Sequence, residues 1–139
     1  MEAMQLSTTI HPVIIGIGAL CPAEVVAIAR HDAPIEIDDT ARAAVTASRE
    51  TIERLASDTE PHYGISTGFG ALATTFIAED RRSQLQRSLI RSHAAGSGPE
   101  VERETVRSLM ALRLSTLLTG RTGIRLETAE AYAAILNAS

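Results

Sequence analysis

Apolar and polar positions switch between two periods along the chain, and the switches mark its elements. Residues 13–21, "VIIGIGALC", form an unbroken apolar run rich in β-branched residues and glycine, which predicts a short buried strand. "CPAEVVAIARHD" changes to helical spacing, with Pro22 in the first turn and Glu24 near the positive end of the dipole. "PIEID" then reads as a second short strand able to pair with the first. Asp38 or Asp39 is placed to cap a long helix whose stripe runs Ala41, Ala44, Val45, Ser48, Ile52, Leu55. Residues 58–77 follow neither period and hold clustered glycines, so they read as a loop. "AEDRRSQLQRSLIRSHAAG" predicts a helix with Leu85 and Leu89 on one face and a stop at Gly96. "GSGPE" reads as a turn that places Pro99 and Glu100 in the first turn of the next helix. That helix carries the stripe Val106, Leu109, Met110, Leu114, Leu117, Leu118 and ends in "TGRTG". "LETAEAYAAILNAS" is a last helix that reaches the end of the sequence without a glycine stop, as if it ran on. The sum is a mainly α chain with a small β element near its N-terminus, organised as a single domain over residues 1–139 without internal repeats or linkers.

Composition narrows this picture. Apolar residues make up 45% of the 139, a globular proportion, but aromatics only 3%, with no tryptophan. The core must therefore be built from Ala, Leu, Ile and Val, a bias that favours helices. A formal net charge of −4 argues against a nucleic-acid partner. Cys21 is the only cysteine, so no internal disulfide forms and a reducing compartment is permitted. The longest apolar run is far short of the roughly 20 residues of a membrane helix, and the start lacks the basic region of a signal peptide. A soluble, cytoplasmic protein without a membrane partner is expected.

Candidate chemistry concentrates in "EPHYGISTGFGALATTF", residues 60–76, where Tyr63 neighbours Gly64, Gly68 and Gly70. A phenol titrates near pH ~10, so Tyr63 acts as a base only where its surroundings favour the phenolate. The glycines suit a loop that closes over a substrate, and they equally suit a structural turn with a surface tyrosine; the residues leave both open. G-x-x-x-G-x-G is not a phosphate-binding loop, since no Lys-Ser or Lys-Thr follows it. His93, just before the break at Gly96, is either bonded to backbone or aimed into a cleft. His11, His31 and His62 lack metal-ligand spacing, and no metal is expected. The arginine pairs Arg87/Arg91, Arg103/Arg107 and Arg121/Arg125 have acidic neighbours and read as solvated faces. Cys21 is assigned no role.

Taken together, "YGISTGFGALAT", "LQRSLIRSHAAGSG" and "LMALRLSTLLTGRTGIRLE" resemble the aromatic amino acid ammonia-lyase family in order and spacing, and its histidine-selective branch most of all. The resemblance covers essentially the whole chain and corresponds to the N-terminal part of such an enzyme. It implies that Tyr63 is the base that removes the substrate's β-proton, carried on a mobile loop, and that Gly70 lies close to substrate. It implies that Ser92 and His93 read the substrate side chain, with His93 touching the imidazole of L-histidine; another aromatic amino acid is the alternative substrate. Ser66 stands where the motif commonly has Asn. The family's prosthetic group, a methylidene-imidazolone built from an internal Ala-Ser-Gly, is not encoded here: "AGSG" at 95–98 has the wrong order, and Ala138-Ser139 falls before the family's position. The long helical bundle of the family is likewise absent from these residues. The resemblance thus implies a segment of a histidine ammonia-lyase-like enzyme, converting L-histidine to urocanate, that is inactive without a chain supplying Ala-Ser-Gly; the expected partner is a complementary lyase chain or a homo-oligomer. A non-catalytic interaction module, or a segment of a related lyase or aminomutase, is the other reading.

Overall fold

The apolar run at 13–21 is a strand only at its beginning. In the computed structural model, which describes residues 11–138, strand β1 spans Val13–Ile15 and pairs in parallel with β2, Ile35–Ile37. The register sets Val13 against Ile35 and Ile15 against Ile37. Burial alternates along both strands, so β1 is covered on one face, with Ile14 exposed, and is not enclosed on both as its composition predicts. Helix α1, Pro22–Arg30, makes the crossover; Pro22 occupies its first turn, and Glu24 accepts a hydrogen bond from the Cys21 N–H at 2.7 Å. Helix α2, Asp39–Ala56, is capped by Asp38, the first of the two candidates. Its carboxylate accepts from the Thr40 hydroxyl and from the Thr40 N–H at 3.1 Å, and its carbonyl receives the Arg42 N–H at 3.0 Å. The Thr40 hydroxyl, then the backbone amides, hold the Asp38 carboxyl below the usual carboxylate range.

The chain groups into two compact units, the first formed by residues up to Ser48 and from Val101 onward, the second by Arg49–Glu100. In the first, α4 (Arg103–Leu117) packs on α1 and on α5 (Leu126–Ala138), and α5 packs on β2. The core of this unit holds Ile15, Ile28, Ile35, Val45, Leu114, Leu118 and Leu136, with the buried alanines Ala33, Ala41, Ala111, Ala129 and Ala133. The Asn137 side chain extends the sheet: its Nδ2 donates to the Ile35 carbonyl at 2.9 Å, and its Oδ1 accepts the Ile35 N–H at 2.8 Å.

Three expectations for this unit are corrected. Helix α4 begins at Arg103, after an extended Glu102, so Pro99 and Glu100 lie outside it. Its buried face is Arg107, Ala111, Leu114, Ser115 and Leu117, whereas Val106 and Leu109, 41% and 63% exposed, turn outward. Arg107 is the reason for the rotation and the third correction: it is 3% exposed and not on a solvated face. Its Nε donates to the Ile28 carbonyl at 3.0 Å and its Nη1 to the Leu136 carbonyl at 2.8 Å, and Nε lies 3.4 Å from Asp32 Oδ1. Arg103 binds the same Asp32 oxygen at 2.8 Å. That hydrogen bond is the chief reason the Asp32 carboxyl sits below its usual range, partly offset by desolvation and aided by the charges of Arg103 and Arg107.

In the second unit the irregular residues 57–78 join α2 to α3, Glu79–His93, and contain one 3₁₀ turn, Gly70–Leu72, and an antiparallel bridge between Thr67 and Phe76. Helix α3 buries no residue fully, leaves Leu85 and Leu89 half-buried, and ends against Ala94, ahead of Gly96. Among the described residues no helix is long and apolar enough to cross a membrane.

Two outcomes are expected. Arg107→Met should lower stability by roughly 3 kcal/mol in urea denaturation, because two interior carbonyls lose a charged donor; an unchanged midpoint would show that the carbonyls find water instead. A depressed Asp32 means that the folded state holds its charge better than the unfolded chain does. Its contribution is therefore complete above the ordinary carboxylate range and disappears as pH falls through the depressed value. Urea midpoints measured across acidic pH should decline less steeply in Asp32→Asn than in the parent chain, and parallel curves would exclude this role.

Candidate functional site

Tyr63 stands on a tight turn made by the backbone of residues 62–67. The His62 carbonyl receives the N–H groups of Ile65, Ser66 and Thr67 at 3.0, 3.0 and 3.3 Å, so three donors share one acceptor. Gly64 closes the turn at φ +71°, and a Cβ there would sit 3.0 Å from the Phe69 ring, so conformation and space both require glycine. The same approach brings Phe69 edge-on to Tyr63, with centroids 6.1 Å apart and planes at 85°. The Tyr63 side chain is 67% exposed, and among the described residues its phenol makes this ring contact and no hydrogen bond.

Two buried hydroxyls bond the backbone on either side of Tyr63. Ser66 Oγ accepts the His62 N–H at 2.9 Å and lies 3.5 Å from the Glu60 carbonyl. Thr67 Oγ1 accepts the Gly64 N–H at 3.3 Å and has the Gly68 and His62 carbonyls at 3.1 and 3.4 Å. Residues 66–68 are joined to 75–77 by the Ile77 N–H on the Ser66 carbonyl at 2.8 Å and the Gly68 N–H on the Thr75 carbonyl at 3.2 Å. Gly68 is needed for space, since a Cβ would come within 2.5 Å of Leu72 Cβ. Gly70 opens the 3₁₀ turn at φ +55° and is exposed, with nothing within 4 Å of where a Cβ would stand. Asp58 receives a hydrogen bond from His62 Nε2 at 3.1 Å, which holds its carboxyl below the usual range.

Ser92 and His93 occupy the last turn of α3, exposed to solvent. Ser92 Oγ donates to the Leu89 carbonyl at 2.8 Å. His93 Nδ1 lies 2.9 Å from the same carbonyl, which can only accept, so a neutral ring carries its proton on Nδ1 and keeps Nε2 as a free acceptor. His93 is thus bonded to backbone while its other nitrogen remains available. Tyr63, Phe69 and Gly70 form one group and Ser92 with His93 another; among the described residues no hydrogen bond, ion pair or ring contact joins the two. An open groove of about 740 Å³ between residues 75–78 and α3 is lined by Phe76, Arg81, Gln84 and Leu85 and includes none of the five. The sequence marked Tyr63, Gly70, Ser92 and His93 and noted Ser66 only as a departure from a motif; it gave no sign that Ser66 and Thr67 are buried.

Comparison with known proteins gives consistent results. The family model described as aromatic amino acid lyase matches residues 20–139. The histidine ammonia-lyase of Streptomyces coelicolor is 51% identical over 128 residues, covering 92% of this chain and 25% of that protein. Among solved structures, histidine ammonia-lyase from Trypanosoma cruzi superposes with a TM-score of 0.82 at 39% identity, over 91% of this chain and 24% of that one. Tyrosine aminomutase from Streptomyces globisporus gives 0.85 at 32% identity over the same shares. The chain spans about a quarter of the length of the relatives it matches. The helical fold with its small parallel β element is the fold of these neighbours, as the sequence predicts. With the family model covering all but the first residues and a shared fold, the chain belongs to the aromatic amino acid lyase family.

Proposed function

We propose that these residues are the N-terminal segment of a histidine ammonia-lyase-like enzyme of the cytoplasm, which releases ammonia from L-histidine to give urocanate. The observation that carries the reading is Tyr63, a phenol open to a substrate on a turn whose backbone is fixed on both sides. In this reading Tyr63 takes the β-proton, a general-base contribution of about 10²–10⁴-fold. His93, with Nε2 free to accept, and Ser92 contact the imidazole, and Gly70 keeps the space beside the substrate clear of a side chain.

The methylidene-imidazolone of the family does not fit on these residues, because the tripeptide that forms it is missing from all 139. Proton abstraction at Tyr63 is therefore one half of the chemistry, and the electrophile comes from lyase residues outside these. Exposed Val106, Leu109 and Leu112, spaced three apart on α4, favour association with such residues. The same face supports the second reading, a non-catalytic module that binds a lyase partner. Fold neighbours that are tyrosine aminomutases leave re-addition of ammonia at the β-carbon as a further outcome of the assay.

Co-expression with a lyase C-terminal segment that carries Ala-Ser-Gly should yield urocanate, followed by its ultraviolet absorbance, where this chain alone yields none. Tyr63→Phe should lower kcat by at least roughly 10²-fold, and His93→Ala should raise KM for L-histidine more than it lowers kcat. Stable association of the two chains without any product would favour the non-catalytic module.

A further inference from the structure

We infer that Ser66 and Thr67 are positioning residues for Tyr63, a role that rests on Tyr63 being the base of the proposed reaction. A general base must be held to a fraction of an ångström to be effective. Among the described residues the phenol has a ring contact with Phe69 and no hydrogen bond, so the precision of its placement rests on its backbone. Two peptide planes meet at the Tyr63 Cα. The one before it is held through the His62 carbonyl by three amide donors, among them those of Ser66 and Thr67. The one after it is held by the Gly64 N–H on Thr67 Oγ1, and the plane one step further back by the His62 N–H on Ser66 Oγ. A hydroxyl has one proton to give. For Thr67 the nearer acceptor is the Gly68 carbonyl at 3.1 Å, against 3.4 Å for His62, which leaves a lone pair for Gly64. Together these bonds fix φ and ψ at Tyr63 and leave only the side-chain torsions free.

Burial in this unit follows the same logic. Between Arg49 and Glu100 the only buried residues are Ser66, Thr67 and Gly68, with Ser66 at 0% and Thr67 at 2% exposure. Burying hydroxyls is costly unless they are bonded, and no apolar side chain in this stretch is buried as deeply. The hydroxyls are themselves anchored through 75–77 by Arg82, whose Nε donates to the Ile77 carbonyl at 3.1 Å and Nη1 to the Ala56 carbonyl at 2.8 Å. Support thus runs from Arg82 through the short bridge to the two hydroxyls, and from them to the peptides around Tyr63. Ser66 supplies a short acceptor at the position where the motif commonly has Asn, so the departure keeps the function of the side chain.

The test is amide hydrogen exchange of this chain by NMR, with Leu114 in the core of the first unit as the reference for intact folding. In the parent chain the His62 and Gly64 amides should be protected. Ser66→Ala should accelerate exchange at His62, and Thr67→Val, which keeps the shape, should accelerate it at Gly64, each roughly tenfold, with Leu114 unchanged. Should Ser66→Ala fail to fold, Thr67→Val carries the test. In a Tyr132→Phe background Tyr63 is the only one of the two tyrosines left, and its fluorescence anisotropy should fall in Thr67→Val. With the complementing segment, Thr67→Val should lower kcat roughly 10–100-fold at nearly constant KM, and Thr67→Ser should restore it. Unprotected amides in the parent chain, or exchange and anisotropy unmoved by both variants, would overturn the positioning role even if Tyr63→Phe abolished activity. Full activity in Tyr63→Phe would instead refute Tyr63 as the base while leaving the exchange result intact.

Discussion

The first unit is organised around one buried cation. The Arg107 guanidinium lies where the last turn of α1 and the Leu136 carbonyl of α5 come together on α4. The Ile28 carbonyl, in the last turn of α1, lacks an intrahelical donor and lies at the negative end of that helix's macrodipole. A planar group with several fixed donors reaches this carbonyl and that of Leu136 at once, in directions that an ammonium on a flexible stem would not reproduce. Asp32, at φ +54° just after α1, brings a carboxylate to the same place and adds Arg103 from the neighbouring turn of α4. Because α1 is the crossover between β1 and β2, this polar junction also fixes the sheet against the helical layer. The aliphatic core packs around it without having to supply those directions itself.

The second unit is held differently. It buries few side chains and relies on hydrogen bonds at its ends and turns: Arg82 on two carbonyls, the bridge at Thr67 and Phe76, and the hydroxyls of Ser66 and Thr67. Hydrogen bonds are directional where apolar contact is not, so a small polar framework can aim an exposed ring without enclosing it. That suits the role proposed for Tyr63.

Much of this was legible from residue order. Pro22 and Glu24 marked the start of α1, the pair Asp38 and Asp39 the start of α2, and the β-branched runs the two strands, because these signals act over a few residues. Arg107 was illegible for the opposite reason. With Arg103 four residues before it and Glu104 beside it, it resembles any solvated helix face, and its burial is decided by Ile28 and Leu136, 79 and 29 residues away. The rotation of α4 follows from the same fact, since a polar residue inward displaces Val106 and Leu109 outward. The tyrosine motif could be recognised, but the depth of Ser66 and Thr67 could not: small hydroxyl residues between glycines look like loop filler until the segment folds back on 75–77.

Asn137 has a bearing on the order in which the chain becomes safe from its neighbours. Its side-chain amide pairs with both backbone groups of Ile35 across 102 residues, occupying the outer edge of the sheet. A nascent chain leaving the ribosome therefore carries β2 with that edge open while everything up to α5 is being translated. An unpaired strand edge is a template for the wrong partner. The hazard ends only when α5 delivers the asparagine, so the speed of translation through the intervening residues sets how long a crowded population of unfinished chains can pair with one another.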